Sequence, residues 1–170
     1  MDRKELLRLM PRNAFDVEGA RRIVDLGYPA IEPVHRDMIQ AMRVAESPAA
    51  DVFTDYFAEI GTPGAPAVAE GLHREDCWLR HRLFTRVLPA WPDAALSSLR
   101  DILTLVATQP DAYDNDVRCL ELLARRDLAE VDWLAQWLQF KRARWEERND
   151  LLNRAADVIQ QVKQANTPNP

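Results

Sequence analysis

The sequence predicts an all-α fold: a short α-solenoid of about three helical hairpins, followed by a long C-terminal helical extension. Three observations carry that expectation. Eleven prolines against five glycines in 170 residues is the punctuation of helices with sharply defined ends. No run of β-branched and aromatic residues alternates at period two over the length of a strand. The third is a recurrence. "LGYPAIEPV" from Leu26 to Val34 returns as "IGTPGAPAV" from Ile60 to Val68, which places Gly27 and Gly61 34 residues apart. Each glycine follows an apolar helix end and is followed by a proline two positions on, Pro29 or Pro63, and a second at Pro33 or Pro66.

The elements follow in order. "FDVEGARRIVDLG" starts at Asp16 as N-cap, carries Val17, Ala20, Ile23 and Val24 on one stripe, and stops at Gly27. "YPAIEPVHRDMIQAMR" restarts after Pro29 with Ile31, Val34, Met38 and Met42 aligned, and Pro33 requires the first turn there. "SPAADVFTDYFAEIG" has Ser47 as cap, Pro48 in the first helical position, and a stripe of Val52, Phe53, Tyr56, Phe57 and Ile60 before Gly61. "GAPAVAEGLHRE" is a shorter helix. "DCWLRHRLFTRVLPAW" begins after Asp76, "DAALSSLRDILTLVATQ" at Asp93, and "DNDVRCLELLARR" at Asp114 or Asp116.

Helix, glycine stop, proline-marked restart, helix is one hairpin used twice, and a looser third pass runs from Pro89 to Arg126. Helix pairs repeating in the thirties of residues mark an α-solenoid, which needs about three units to bury its faces. "IGTPGAPAVAEGLHREDCWLRHRLFTRVL" resembles a HEAT repeat, with Asp76 and the Leu79–Arg80 pair at the Asp and Val-Arg positions of that motif. Residues from about 10 to 126 resemble the bacterial family called domain of unknown function 5071. The resemblance lies in "PRNAFDVEGARRIVDLGYPAIEPV", "FAEIGTPGAPAV" and "DCWLRHRLFTRVLP". Where that family carries a Trp-Leu-Gln-Asp and Asn-Trp-Pro stretch, this chain reads "AMRVAESPAA". The resemblance implies a HEAT-like helical-repeat domain over 1–126 and brings no established activity.

From 127 the pattern changes. "DLAEVDW" offers a capping box, Asp127 with Glu130. From there to about Ala165 there is no Gly or Pro, enough for a helix of roughly 50 Å at ~1.5 Å per residue. Leu138, Lys141, Trp145, Arg148, Leu152, Ala155, Ile159 and Val162 recur at heptad spacing with basic residues in the middle. Two arrangements fit 127–165. One is a hairpin turning near Glu146–Asp150 that caps the solenoid; the other is a long helix pairing with a second copy or another partner. Residues 166–170 read as a frayed tail.

The totals set limits. A net charge of −5 argues against generic nucleic-acid binding. The charge is uneven, −7 over residues 1–137 and +2 over 138–170. Cys77 and Cys119 are too few for a disulfide framework. "MDRKELLRLM" has no apolar targeting segment, and no stretch approaches a membrane span. A soluble, cytoplasmic protein with no membrane association is expected.

Catalytic and metal motifs are weak. His73, Cys77 and His81 recur every fourth residue, but Asp76 starts a new helix between the first two. "DAYDND" lacks the glycine and distal glutamate of a calcium loop. No phosphate loop, nucleophile elbow or zincin pattern occurs. The expectation is no catalytic, metal or cofactor-binding residues, and no cofactor.

The interface candidates are Trp145, Arg142, Arg144 and Arg148, in and beside "KRARW", where Arg142–Glu146 pairing would neutralise part of the charge. Trp133, Trp137 and Phe140 share a face that could be core or interface anchors; core is expected for Trp133 and Trp137, and exposure for Trp145. The function expected is non-enzymatic protein binding, as in a bacterial immunity or adaptor protein whose acidic surface masks a basic partner. A homodimer through the C-terminal helix is a further arrangement. A nucleic-acid-binding solenoid and an enzyme with an unrecognised site are the alternatives.

Overall fold

A computed structural model of the chain describes residues 1–74 and 76–165, the side chains of 151, 152 and 155–165 excepted; among these residues there is no strand. The chain divides into two compact units, residues 1–129 and a second beginning at Glu130. The boundary falls three residues beyond that expected from sequence.

Unit 1 is built from α1 (Arg3–Leu9), α2 (Val17–Val24), α3 (His35–Ala41), α4 (Pro48–Ile60), α5 (Ala65–His73), α6 (Cys77–Arg82), α7 (Asp93–Ser97), α8 (Arg100–Thr108) and α9 (Asn115–Arg125). Short 3-10 turns, Glu32–Val34 and Thr62–Gly64, lead into α3 and α5. The starts are chemically explicit. Asp2, Asp16, Ser47 and Asp76 each accept a hydrogen bond from the backbone N–H three residues on, satisfying an amide that the helix leaves without a partner. Gly27 and Gly61 sit at φ 67° and 64°, backbone that a side chain would strain.

Packing joins elements about one hairpin apart. α2 packs on α4, and α4 on the segment 83–87; α3 packs on α5, and α5 on α8, which packs on α9. Phe53, Phe57, Met38, Val68, Leu72, Leu79, Leu103 and Leu123 are fully buried along these contacts. Each such side chain is worth roughly 1.5–3 kcal/mol of transfer free energy.

Polar ties repeat the same separation. Arg3 grips Asp37, Arg43 binds Asp76, the Ser47 hydroxyl donates to the Ala14 carbonyl, and Arg82 binds Asp51. The Trp91 indole N–H donates to the Phe57 carbonyl, and Arg126 binds Asp93. All six join residues 31 to 34 apart in sequence.

Three local expectations are corrected, and a fourth, the start of α9 at Asp114, holds in place with a different geometry. The helix expected from Asp76 to Trp91 is α6 followed by a π-helical turn, Leu83–Val87, and a 3-10 turn, Leu88–Ala90. Pro89 has no amide N–H and ends the ladder there. The helix expected from Asp93 to Gln109 breaks into α7 and α8, where the Ser98 hydroxyl donates back to the Ala95 carbonyl at 2.6 Å.

At α9 the cap position is Asp114, but in the left-handed region (φ 54°) and without a side-chain cap bond. Asp111 instead accepts from the Tyr113 N–H at 3.0 Å and the Asn115 amide at 2.7 Å.

The Asp127–Glu130 capping box is absent, because Asp127 ends α9 instead of starting the next helix. Its φ is 52°, and Asp127 and Leu128 donate to the Ala124 and Leu123 carbonyls. That is the paired closure by which helices terminate on a left-handed residue. Unit 2 then contains α10 (Val131–Ala165), one helix of 35 residues. It runs unbroken through Glu146–Asp150, without the turn that a hairpin needs.

Candidate interaction surface

Helix geometry decides which side chains of α10 act together. At about 100° per residue, Leu134, Leu138, Lys141, Arg142 and Arg148 fall within about 60° of Trp145. Phe140 and Arg144 belong to the neighbouring stripe that begins with Trp133 and Trp137. Three of the four sequence candidates thus share a face, and Arg144 does not share it.

The second stripe is an interlocked series. Trp133 and Trp137 lie 6.2 Å apart between ring centroids, and Trp137 and Phe140 meet edge to face at 5.5 Å. The Arg144 guanidinium stands 5.9 Å over the Phe140 ring, a cation–π distance. Trp133 and Trp137 are half-buried, whereas Phe140 is exposed.

On the first face Trp145 is 67% exposed and Leu138 is 40% exposed. Arg142, Arg144 and Arg148 are exposed as well.

The acids of α10 lie away from Trp145 itself. Asp132, Glu146, Glu147 and Asp150 all lie 100° or more from Trp145 by the same rotation of about 100° per residue. Around the helix Glu146 is the neighbour of Arg142, about 40° away, whereas Arg148 has no acid three or four residues from it. Among the described residues Arg142 forms no ion pair with Glu146.

Unit 1 treats the same residue types differently. Arg80 and Arg82 are buried, 4% and 5% exposed. The Arg82 guanidinium donates to Asp51 at 2.7 Å, Thr54 at 3.1 Å and the Ala45 carbonyl at 3.1 Å. Arg80 donates to the Leu72 carbonyl at 3.0 Å and to Gln109 at 3.2 Å. These cations are consumed in holding one element to the next.

His35 is also buried, with Nε2 2.8 Å from the Tyr56 hydroxyl. Burial pushes the His35 pKa down and raises Tyr56 to about 12. The ring is therefore neutral at pH 7, and Nε2 shares one hydrogen bond with the phenol. The pair ties His35 at the start of α3 to Tyr56 on α4.

A groove of about 560 Å³ lies beside this pair, between Arg3, Glu32, Arg36, Pro63 and Pro66. A second, of about 390 Å³, has Phe84, Pro89 and Leu122 below Arg118, Arg125 and Arg126. Sequence reading missed both, because each draws residues from segments about 30 apart or more, and neither holds a local motif.

His73 ends α5 while Cys77 opens α6, so the fourfold spacing of His73, Cys77 and His81 does not fall on one helix. His81 instead stacks with Trp78 at 5.7 Å and lies against Tyr113 at 5.4 Å. Among the described residues no three His, Cys, Asp or Glu side chains converge as a metal site would require. No helix among them is long and apolar enough to cross a membrane.

What the α10 face offers chemically is a large apolar ring ringed by guanidinium donors and reachable from solvent. Such a surface can desolvate against an apolar patch while pairing its cations with acids at the rim. Comparison with family models, with curated proteins and with solved structures finds no match to this chain.

Proposed function

We propose that the protein is a non-enzymatic protein-binding scaffold. In this reading unit 1 is a short HEAT-like α-solenoid akin to the bacterial domain of unknown function 5071, and α10 is a recognition arm. The observation that carries it is Trp145, 67% exposed with Leu138, Arg142 and Arg148 on the same face of a helix. Tryptophan and arginine are the residues over-represented at binding hot spots, and leaving an indole in water costs free energy that association recovers. The polar ties spaced 31 to 34 residues apart support the solenoid reading, because equivalent positions of successive hairpins then meet.

Unit 1 is acidic, −5 over residues 1–129, while residues 130–170 sum to zero with their cations gathered at 141–148. That suits an adaptor or immunity protein, with an acidic scaffold able to mask a basic partner and a local basic block on the arm free for another contact.

The test is affinity capture with the full chain from nuclease-treated lysate at about 0.15 M salt, read by mass spectrometry. One stoichiometric protein is the expected result. Recovery of the bait alone, or of nucleic acid alone when nuclease is omitted, overturns the proposal.

A further inference from the structure

We infer that the Trp145 face of α10 takes an acidic amphipathic helix of a different protein, pairing with it along a two-helix seam. This rests on the protein-binding reading and adds the chemistry of the partner.

The spacing points to a helix as the occupant. Leu138, Lys141, Trp145 and Arg148 follow one another at steps of 3, 4 and 3, which keeps side chains aligned along a partner helix. In sequence the steps continue through Leu152, Ala155, Ile159 and Val162, whose side chains lie outside the described residues. A seam extending over several turns suits a second helix rather than an isolated loop.

Charge points to an acidic occupant. Arg148 falls on the seam itself, and Arg142 borders it. Covering an arginine with apolar surface leaves an uncompensated cation, whereas a carboxylate opposite it forms a charge-assisted pair. Within α10 Arg148 has no acid three or four residues away, and among the described residues Arg142 forms no ion pair with Glu146, its neighbour four residues on.

The same charges disfavour a second copy of this chain. Two α10 helices aligned at Trp145 bring their basic blocks, 141–148, together in either orientation, and like charges across a seam select against self-pairing. A polyanion such as RNA would suit the arginines but leaves the exposed Leu138 unused. The chain's net charge of −5 also opposes a polyanion.

The experiment titrates the full chain with three labelled probes, read by fluorescence anisotropy. They are a synthetic helix of about four heptads with leucine on the seam and glutamate facing and flanking it, its lysine counterpart, and a single-stranded RNA of mixed sequence. The acidic helix is expected to bind, more weakly as salt rises from about 50 to about 300 mM.

Arg142→Glu with Arg148→Glu should weaken that binding at least about tenfold and create binding to the lysine helix, a switch that misfolding cannot produce. Equal binding of both helices, binding of neither, tighter binding of RNA, or a Trp145-dependent homodimer in sedimentation equilibrium overturns the inference. Capture of the same lysate protein by wild type and the double variant would leave the scaffold reading standing and remove this one. Capture of no protein removes the scaffold reading.

Discussion

Trp91 in unit 1 is 1% exposed and donates its indole N–H to the Phe57 carbonyl at 2.7 Å; Trp145 on α10 is 67% exposed. The arginines repeat the contrast. Arg82 is buried among Asp51, Thr54 and two backbone carbonyls, whereas Arg142 and Arg148 project into solvent. In unit 1 packing has used the Trp91 indole and the Arg82 guanidinium, although other aromatics such as Phe15, 74% exposed, stay in solvent. On α10 the same groups are presented and not consumed. Residue type alone therefore does not mark a site; the same type left unspent on a regular element does.

The largest effect that this contrast predicts is on stability. Trp91→Ala should cost about 3–5 kcal/mol in urea unfolding followed by circular dichroism, while Trp145→Ala should change stability by no more than about 0.5 kcal/mol. A Trp145→Ala cost comparable to that of Trp91→Ala would make Trp145 a core residue and end the contrast.

The arginines sharpen it. Arg82→Met removes the donors that Asp51, Thr54 and the Ala45 carbonyl use; the expected loss is about 1–3 kcal/mol. Arg142→Met should be neutral within error by the same assay.

A third prediction uses pH. Burial holds the His35 pKa below its ordinary 6.5, so the unfolded chain binds a proton that the folded chain refuses. Stability is then unaffected above 6.5 and falls as pH drops below it, by at most about 1.4 kcal/mol per pH unit. Urea midpoints of wild type and His35→Gln should run parallel above about pH 7 and diverge towards pH 5, with wild type losing more. Parallel curves throughout would contradict a buried neutral His35. The smallest effect belongs to a cap: Ser47→Ala loses the bonds to the Ala50 N–H and the Ala14 carbonyl, about 1 kcal/mol by thermal unfolding.

Much of this was legible in sequence where the signal is local. Ser47 before Pro48, Asp16, Asp76, Gly27 and Gly61 act through residues three or four positions away, and the structure places each cap or stop as read. Failure came where two local rules competed for one residue. Asp127 satisfies the spacing of an N-cap, but α9 needs a left-handed residue to close, and Leu128 buries against that closure. Asp114 likewise holds the cap position while Asp111 makes the hydrogen bonds. The interface candidates were visible as a basic and aromatic block, and what linear reading hid was direction. Glu146 and Glu147 follow Trp145 in sequence yet face away from it, and Arg144 turns from its neighbours to the Phe140 ring.

The most direct measurement is hydrogen exchange, by mass spectrometry, on the full chain alone and in complex with its captured partner. Recognition through the Trp145 face predicts slower exchange over residues 134–150 of α10, with the helices of unit 1 unchanged. Protection confined to unit 1, with α10 exchanging as in the free protein, would contradict it.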